Sequence, residues 1–214
     1  MNRKQRSPAF TRMAALAAAL LVAAAGAGSP AWAESSTYIV DPEHTMITFS
    51  IKHLFSRVRG QFTKFEGKLE VDESDLSKGR VSFSIDAASI DTNEEARDNH
   101  LRSDAFFDVA NHAKITFVST GAHKKPDGRL TVRGDLTMRG ATKPVLLDVE
   151  VLGFGDAFGV RRAGFEATTR VNRHDFGVSW NTAVEGGGFL VGDDVDILIN
   201  VEAKQEPLKP EAAK

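Results

Sequence analysis

Residues 45–53 read TMITFSIKH, from Thr45 to His53, and this stretch decides the fold class. Ile47, Phe49, Ile51 and His53 alternate with Thr48, Ser50 and Lys52. An extended chain therefore puts the first set on one face and the second on the other. A helix would scatter the same apolar residues around its circumference. The stretch is a strand with one buried face.

The same period of two runs outward in both directions from residue 37 to residue 204. Upstream of Leu69 and Val71 come Phe62 and Phe65, whose spacing slips by one and predicts a bulge or bend at Thr63 and Lys64. Val81, Phe83 and Ile85 alternate, as do Ile115 and Phe117, then Leu130, Val132, Leu136 and Met138. Val145 to Val151, Ala163 to Val171 and Val195 to Val201 complete the series. Pro126-Asp127-Gly128, Arg139-Gly140 and the 155–159 segment supply residues that tolerate positive φ where hairpins turn. About eight long strands with one apolar face each must bury it against a second sheet or by closing on themselves. Closure is expected: an all-β fold, an eight-stranded antiparallel barrel, the size at which the interior just holds one small ligand.

One interval breaks the alternation. Residues 91–108, DTNEEARDNHLRSDAFFD, are polar and compatible with a helix. Thr92 and Glu95 have the spacing of a capping box, so a short helix is expected over 93–102, followed by a turn at 104–107 presenting Phe106 and Phe107. A second helical turn is expected at 173–177.

The ends of the chain read differently. Arg3, Lys4, Arg6 and Arg12 precede an apolar run over 13–28 and the small-x-small sequence Ala31-Trp32-Ala33, the pattern of an N-terminal signal peptide cleaved after Ala33. That run is shorter than the roughly 20 residues a spanning helix needs, so no stable membrane span is expected. Residues 34–204 form one domain, and 205–214 lack periodicity and are expected to be disordered. The leader takes four of the 27 basic residues and none of the 29 acidic ones, leaving an acidic domain. Nucleic acid is thereby excluded as a partner, because phosphate binding needs clustered bases. With no cysteine, disulfides, thiolate chemistry and Cys-ligated zinc are excluded too.

In order along the chain, YIVDPEHTMITFSIKHL (38–54), GQFTKFEG (60–67), SIDTNEEARDNHLRSDAFFD (89–108), KITFVST (114–120), GDLTMRGATKPVLLDVE (134–150), GFEATTRVNRHDFG (164–177) and VGDDVDILINVEA (191–203) resemble the YceI-like family. The block from Ser89 to Asp108 together with Arg173 to Gly177 is its most specific part. The resemblance implies a lipocalin-like barrel whose elongated pocket takes a polyisoprenoid, such as a quinone or a prenyl phosphate tail. It also implies export to the bacterial periplasm. It supplies no catalytic residue.

A prenyl chain offers only apolar surface, so its site must be a continuous apolar wall. The inward positions Phe49, Ile51, Phe62, Phe65, Phe83, Ile85, Phe117, Leu136, Phe165 and Ile197 are the candidates. Thirteen of the 14 phenylalanines lie beyond the leader. Phenylalanine makes a smooth wall without a polar handle, although the same set would equally fill a solid barrel. For a head group, Arg97 and Arg173 offer forks to a phosphate, and Asn99 or His100 a hydrogen bond to a quinone carbonyl. The competing reading has Asp98, Arg102 and Asp175 capping helices and pairing with one another to hold the insert.

His44, His53, His100 and His112 lack zinc-motif spacing, so no metal site is expected. There is no G-x-S-x-G elbow. The expectation is therefore a polyisoprenoid or other long-chain lipid as partner, no cofactor and no catalysis. The runner-up readings are an envelope enzyme acting on an isoprenoid or quinone and an interaction module. A homodimer is left open.

Overall fold

The alternation at 45–53 becomes strand β2 (Met46–His53) in a computed structural model that describes residues 35–185 and 187–207. Around it run β1 (Ser36–Val40), β3 (Ser56–Phe62), β4 (Phe65–Val71), β5 (Arg80–Asp86), β6 (Ile90–Asp91), β7 (Lys114–Lys124), β8 (Leu130–Met138), β9 (Ala141–Ala157), β10 (Val160–Asn172) and β11 (Val191–Gln205). One helix, α1 (Glu95–Arg102), joins them. The expected leader lies outside the described residues, as do residues 208–214 of the expected tail. The tail begins later than the pattern suggested, because Gln205 still pairs with Tyr38.

These strands form eight walls. β1 and β2 are one wall interrupted by a 3-10 turn at Pro42–His44: β1 pairs with β4 and β2 with β3. The second wall, β3 and β4, bends at Thr63-Lys64, where the spacing had slipped. The third, β5 and β6, is interrupted by the turn Ala87–Ser89. β7, β8, β9, β10 and β11 follow, each antiparallel to the one before. The last wall then meets the first through β11 with both β1 and β2, which closes the barrel.

The tight turns follow from backbone chemistry. Arg139 and Gly140 (φ 50 and 74) join β8 to β9, and Phe158 and Gly159 (φ 53 and 78) join β9 to β10. Two consecutive residues at positive φ match the right-handed twist of the flanking strands. The second turn is shorter than the 155–159 segment suggested, because β9 runs on to Ala157.

The two ends of the barrel differ. At the base, Tyr38, Val71, Leu130, Val149, Phe165 and Ala203 belong to a buried core, with Tyr38 fully buried and edge-on to Phe154 at 6.2 Å. The Tyr38 hydroxyl donates to Glu73 at 2.6 Å, and Arg161 donates to both Glu73 oxygens. Burial, and then Glu73, push the Tyr38 hydroxyl up to about 12. Beside the closing seam, buried Asp41 accepts from Lys204 at 2.7 Å, with His44 and Arg162 alongside. The Lys204 bond, helped by His44 and the Glu43 N–H, holds that carboxyl well below the usual carboxylate range despite its burial.

The opposite, helical end carries the 92–113 insert, the 139–140 turn and the 173–190 segment. There β6 pairs only with β3 among the described residues, so its other edge is open. Arg102 answers that edge, donating from Nε to Ala88 O (2.8 Å) and from Nη2 to Ile90 O (2.7 Å).

Candidate functional site

Inside the closed walls lies a cavity of about 580 Å³, within the usual range for small-molecule sites. The interior is hollow rather than filled. Its wall follows β8 from Leu130 to Met138. Nine strand residues cover roughly 27 Å along the chain, or roughly 20 Å along the axis at the usual barrel tilt.

The glycines explain why a phenylalanine-rich interior stays open. Phe49 faces Gly60 across the β2–β3 pair, Phe83 faces Gly67 across β4–β5, and Phe117 lies against Gly134 of β8. A Cβ on Gly60 would stand 2.5 Å from Phe49 Cζ, and one on Gly67 would stand 2.9 Å from Phe83 Cε1. A Cβ on Gly134 would overlap the Phe117 ring. Each ring thus lies along the wall in the space a side chain would occupy. The lumen between them is left free.

Of the ten expected wall residues, Phe49, Ile51, Phe62, Phe83, Ile85, Phe117, Leu136, Phe165 and Ile197 line the cavity. Phe65 does not. After the bend at 63–64 it begins β4 opposite Ile85 and packs onto the core instead. Residues that the sequence reading did not select also line the space: Trp180 and Leu190 from the segment before β11, and Phe106 and Phe107 from the insert. His100 stands edge-on to both Phe106 (4.9 Å) and Trp180 (5.0 Å), so the insert and the 178–190 segment meet around it.

Polar groups gather at the ends. Glu70 and Arg80 border the cavity towards the base, and Arg97, His100 and Arg173 border it at the helical end. Asn99 does not reach it: Asn99 is exposed, and its Oδ1 accepts from Arg102 at 3.0 Å. The reason is helical spacing, since Ala96, Arg97, His100 and Leu101 share the cavity face.

The bases are anchored by the protein. Arg97 donates to the Thr92 hydroxyl (2.7 Å) and carbonyl (2.8 Å). Arg173, 3% exposed, donates from Nε to Gly192 O (2.9 Å) and from Nη1 to the carbonyls of Val178 and Trp180 (both 2.8 Å). Its Nη2 has no hydrogen-bond partner among the described residues and lies 3.9 Å from Asp193. Burial lowers the Arg173 pKa from its ordinary value.

Thr92 does not cap α1 in a box. Glu94 is the N-cap, and the Thr92 hydroxyl and N–H both donate to Asp98, at 2.6 and 2.9 Å. Asp98 and Arg102 thus hold the insert in place, as the competing reading had it, but through Thr92 and the β6 edge rather than through each other.

Residues 38–203 match the YceI-like domain family. A UPF0312 protein of Vibrio cholerae is 39% identical over 153 residues, 70% of this chain and 81% of that one. The crystal structure of Burkholderia cenocepacia BcnA superposes with a TM-score of 0.68 at 23% identity, over 76% of this chain and 98% of that one. A polyisoprenoid binding domain from Saccharophagus degradans does so at 0.57 and 12% identity, over 81% of this chain and all of that one. The latter two likenesses are ones of fold.

Proposed function

The chain belongs to the YceI-like family, and on that premise we propose that it is an exported carrier or reservoir that holds one polyisoprenoid chain in its barrel, in the periplasm. The observation that carries this reading is the continuous apolar cavity running between the base core and the helical end. The Saccharophagus degradans domain, described as polyisoprenoid binding, supports the same ligand class. The leader supports export.

In this reading the tail lies along Phe49, Phe83, Phe117 and Ile197. The head group stands at the helical end, where Arg97, His100 and Arg173 border the cavity beside its phosphate or quinone oxygen. Each buried methylene contributes about 0.8 kcal/mol, so affinity grows with chain length until the cavity is full. Nothing in this reading requires bond making.

Trp180 makes the test simple, since the other tryptophan, Trp32, falls in the leader. Delipidated protein titrated with prenyl alcohols of increasing length will change its Trp180 emission, with affinity rising and then levelling as the cavity fills. Affinity independent of chain length, or no binding, would overturn the proposal.

A further inference from the structure

Two aromatic side chains at the helical end stand largely in solvent. Phe55, at the tip of the β2–β3 hairpin, is 103% exposed, and Phe189, in the segment before β11, is 68% exposed. The two tips lie side by side: the Leu54 N–H donates to the Leu190 carbonyl at 3.0 Å, and His53 pairs with Val191. Leu54 holds φ 46, a left-handed conformation that a leucine rarely adopts and that folds the tip. The cavity wall runs up to His53, Leu190 and Val191. The exposed rings therefore border the end of the apolar tunnel.

The charge around the two tips is mixed. Residues 51–60 carry Lys52, His53, Arg57 and Arg59 and no acid, whereas residues 181–194 around Phe189 carry Glu185, Asp193 and Asp194 and no base. Arg57 is engaged by Asp196, whereas Lys52 and Arg59 have no acidic partner among the described residues. Apolar tips with a rim of mixed charge, at the end of an apolar tunnel, suit the boundary between head groups and acyl chains of a bilayer. A stable protein interface needs about 800 Å² from each partner, far more than two separate rings on loop tips supply.

From the rings and the tunnel that ends beside them, we infer that the helical end docks on a phospholipid surface, with Phe55 and Phe189 entering the head-group layer. This inference rests on the lipid-carrier reading and deepens it. The prenyl chain then passes between bilayer and tunnel without crossing water, and the two loop tips mark the transfer end. Phe158 is a built-in control. It is 97% exposed at the opposite, base end, with the Arg162 guanidinium 6.0 Å from its ring centre.

The test is co-flotation of the full protein with vesicles of phosphatidylethanolamine and phosphatidylglycerol, comparing wild type, Phe55→Ala with Phe189→Ala, and Phe158→Ala. Each ring that enters the bilayer contributes about tenfold in affinity, so the double variant binds roughly a hundredfold more weakly. Phe158→Ala binds as wild type does. Failure of the wild type to float, or an equal loss in Phe158→Ala, would overturn the inference, as would full binding by the double variant. Loading of prenyl alcohol from detergent micelles, read by native mass spectrometry, separates the two claims. It stays unchanged in the double variant if the rings act only at the membrane. Its absence in a wild type that floats would overturn the carrier reading and leave the docking standing.

Discussion

Tyr38 is the chain's only tyrosine, so its ionisation can be followed by absorbance without interference. Held up at about 12 in the folded protein against an unperturbed value near 10, it contributes stability that is complete below pH 10 and lost as pH rises to 12. Tyrosinate absorbance in the native protein should therefore appear near pH 12, and in urea near pH 10. A native transition at the lower value would contradict the burial described. Asp41 has the opposite sign. Its depressed carboxyl stabilises the fold above the unperturbed range near pH 4, and that contribution fades as pH falls further. Asp41→Asn should be markedly less stable than wild type at pH 7, and the difference should shrink towards pH 2, as read by urea denaturation. The wall glycines yield a third expectation. Gly134→Ala sets a methyl against both the Phe117 ring and the Val118 carbonyl and displaces the ring towards the lumen, at a stability cost of about 1–3 kcal/mol. Prenyl binding should weaken about tenfold, a loss of roughly 1.4 kcal/mol, and unchanged affinity would show that the ring does not bound the ligand. That device was hidden in the sequence. Alternation says which side chains point inward, but a glycine opposite a phenylalanine becomes visible only when the strand register is known.

Among the elements, the 92–113 insert depends on Arg102. Its guanidinium satisfies the carbonyl of Ala88 in the 87–89 turn and that of Ile90 in β6, a reach and planarity that no other side chain offers. Arg102→Ala should cost about 1–3 kcal/mol and speed hydrogen exchange over α1 and β6 while leaving β8 to β10 protected. Uniform protection would show that the insert is held by other contacts. The strands themselves were plain in the sequence because a period of two is a local property, and even the bend at Thr63-Lys64 showed as a slipped spacing. Its consequence for Phe65 did not, since that residue's neighbours are set by where the wall passes from β3, paired with β2, to β4, paired with β1. Trp180 and Leu190 were missed for a related reason. They lie in a stretch with no periodicity, and only the closing of β11 onto β2 brings them over the cavity. Asn99 was misplaced on α1 because its face is fixed by which neighbours dock, not by its polarity.

At the scale of the whole molecule, closure is what converts eight amphipathic walls into a container. The base is packed around Tyr38, the seam is held at Asp41, and the helical end gathers the bases and the exposed rings. The barrel was legible from repeated alternation and from the ordered motifs, since eight one-sided strands have few ways to bury a common face. Hollowness was not, because it turns on where aromatic rings rest. The proposed role as a carrier requires that hollow to be filled by one prenyl chain. Native mass spectrometry of the protein purified without delipidation from its own host tests this directly. The predicted result is a one-to-one adduct that dissociates to release a polyisoprenoid. Protein that is empty on isolation, and that remains so after incubation with prenyl lipids, would contradict it.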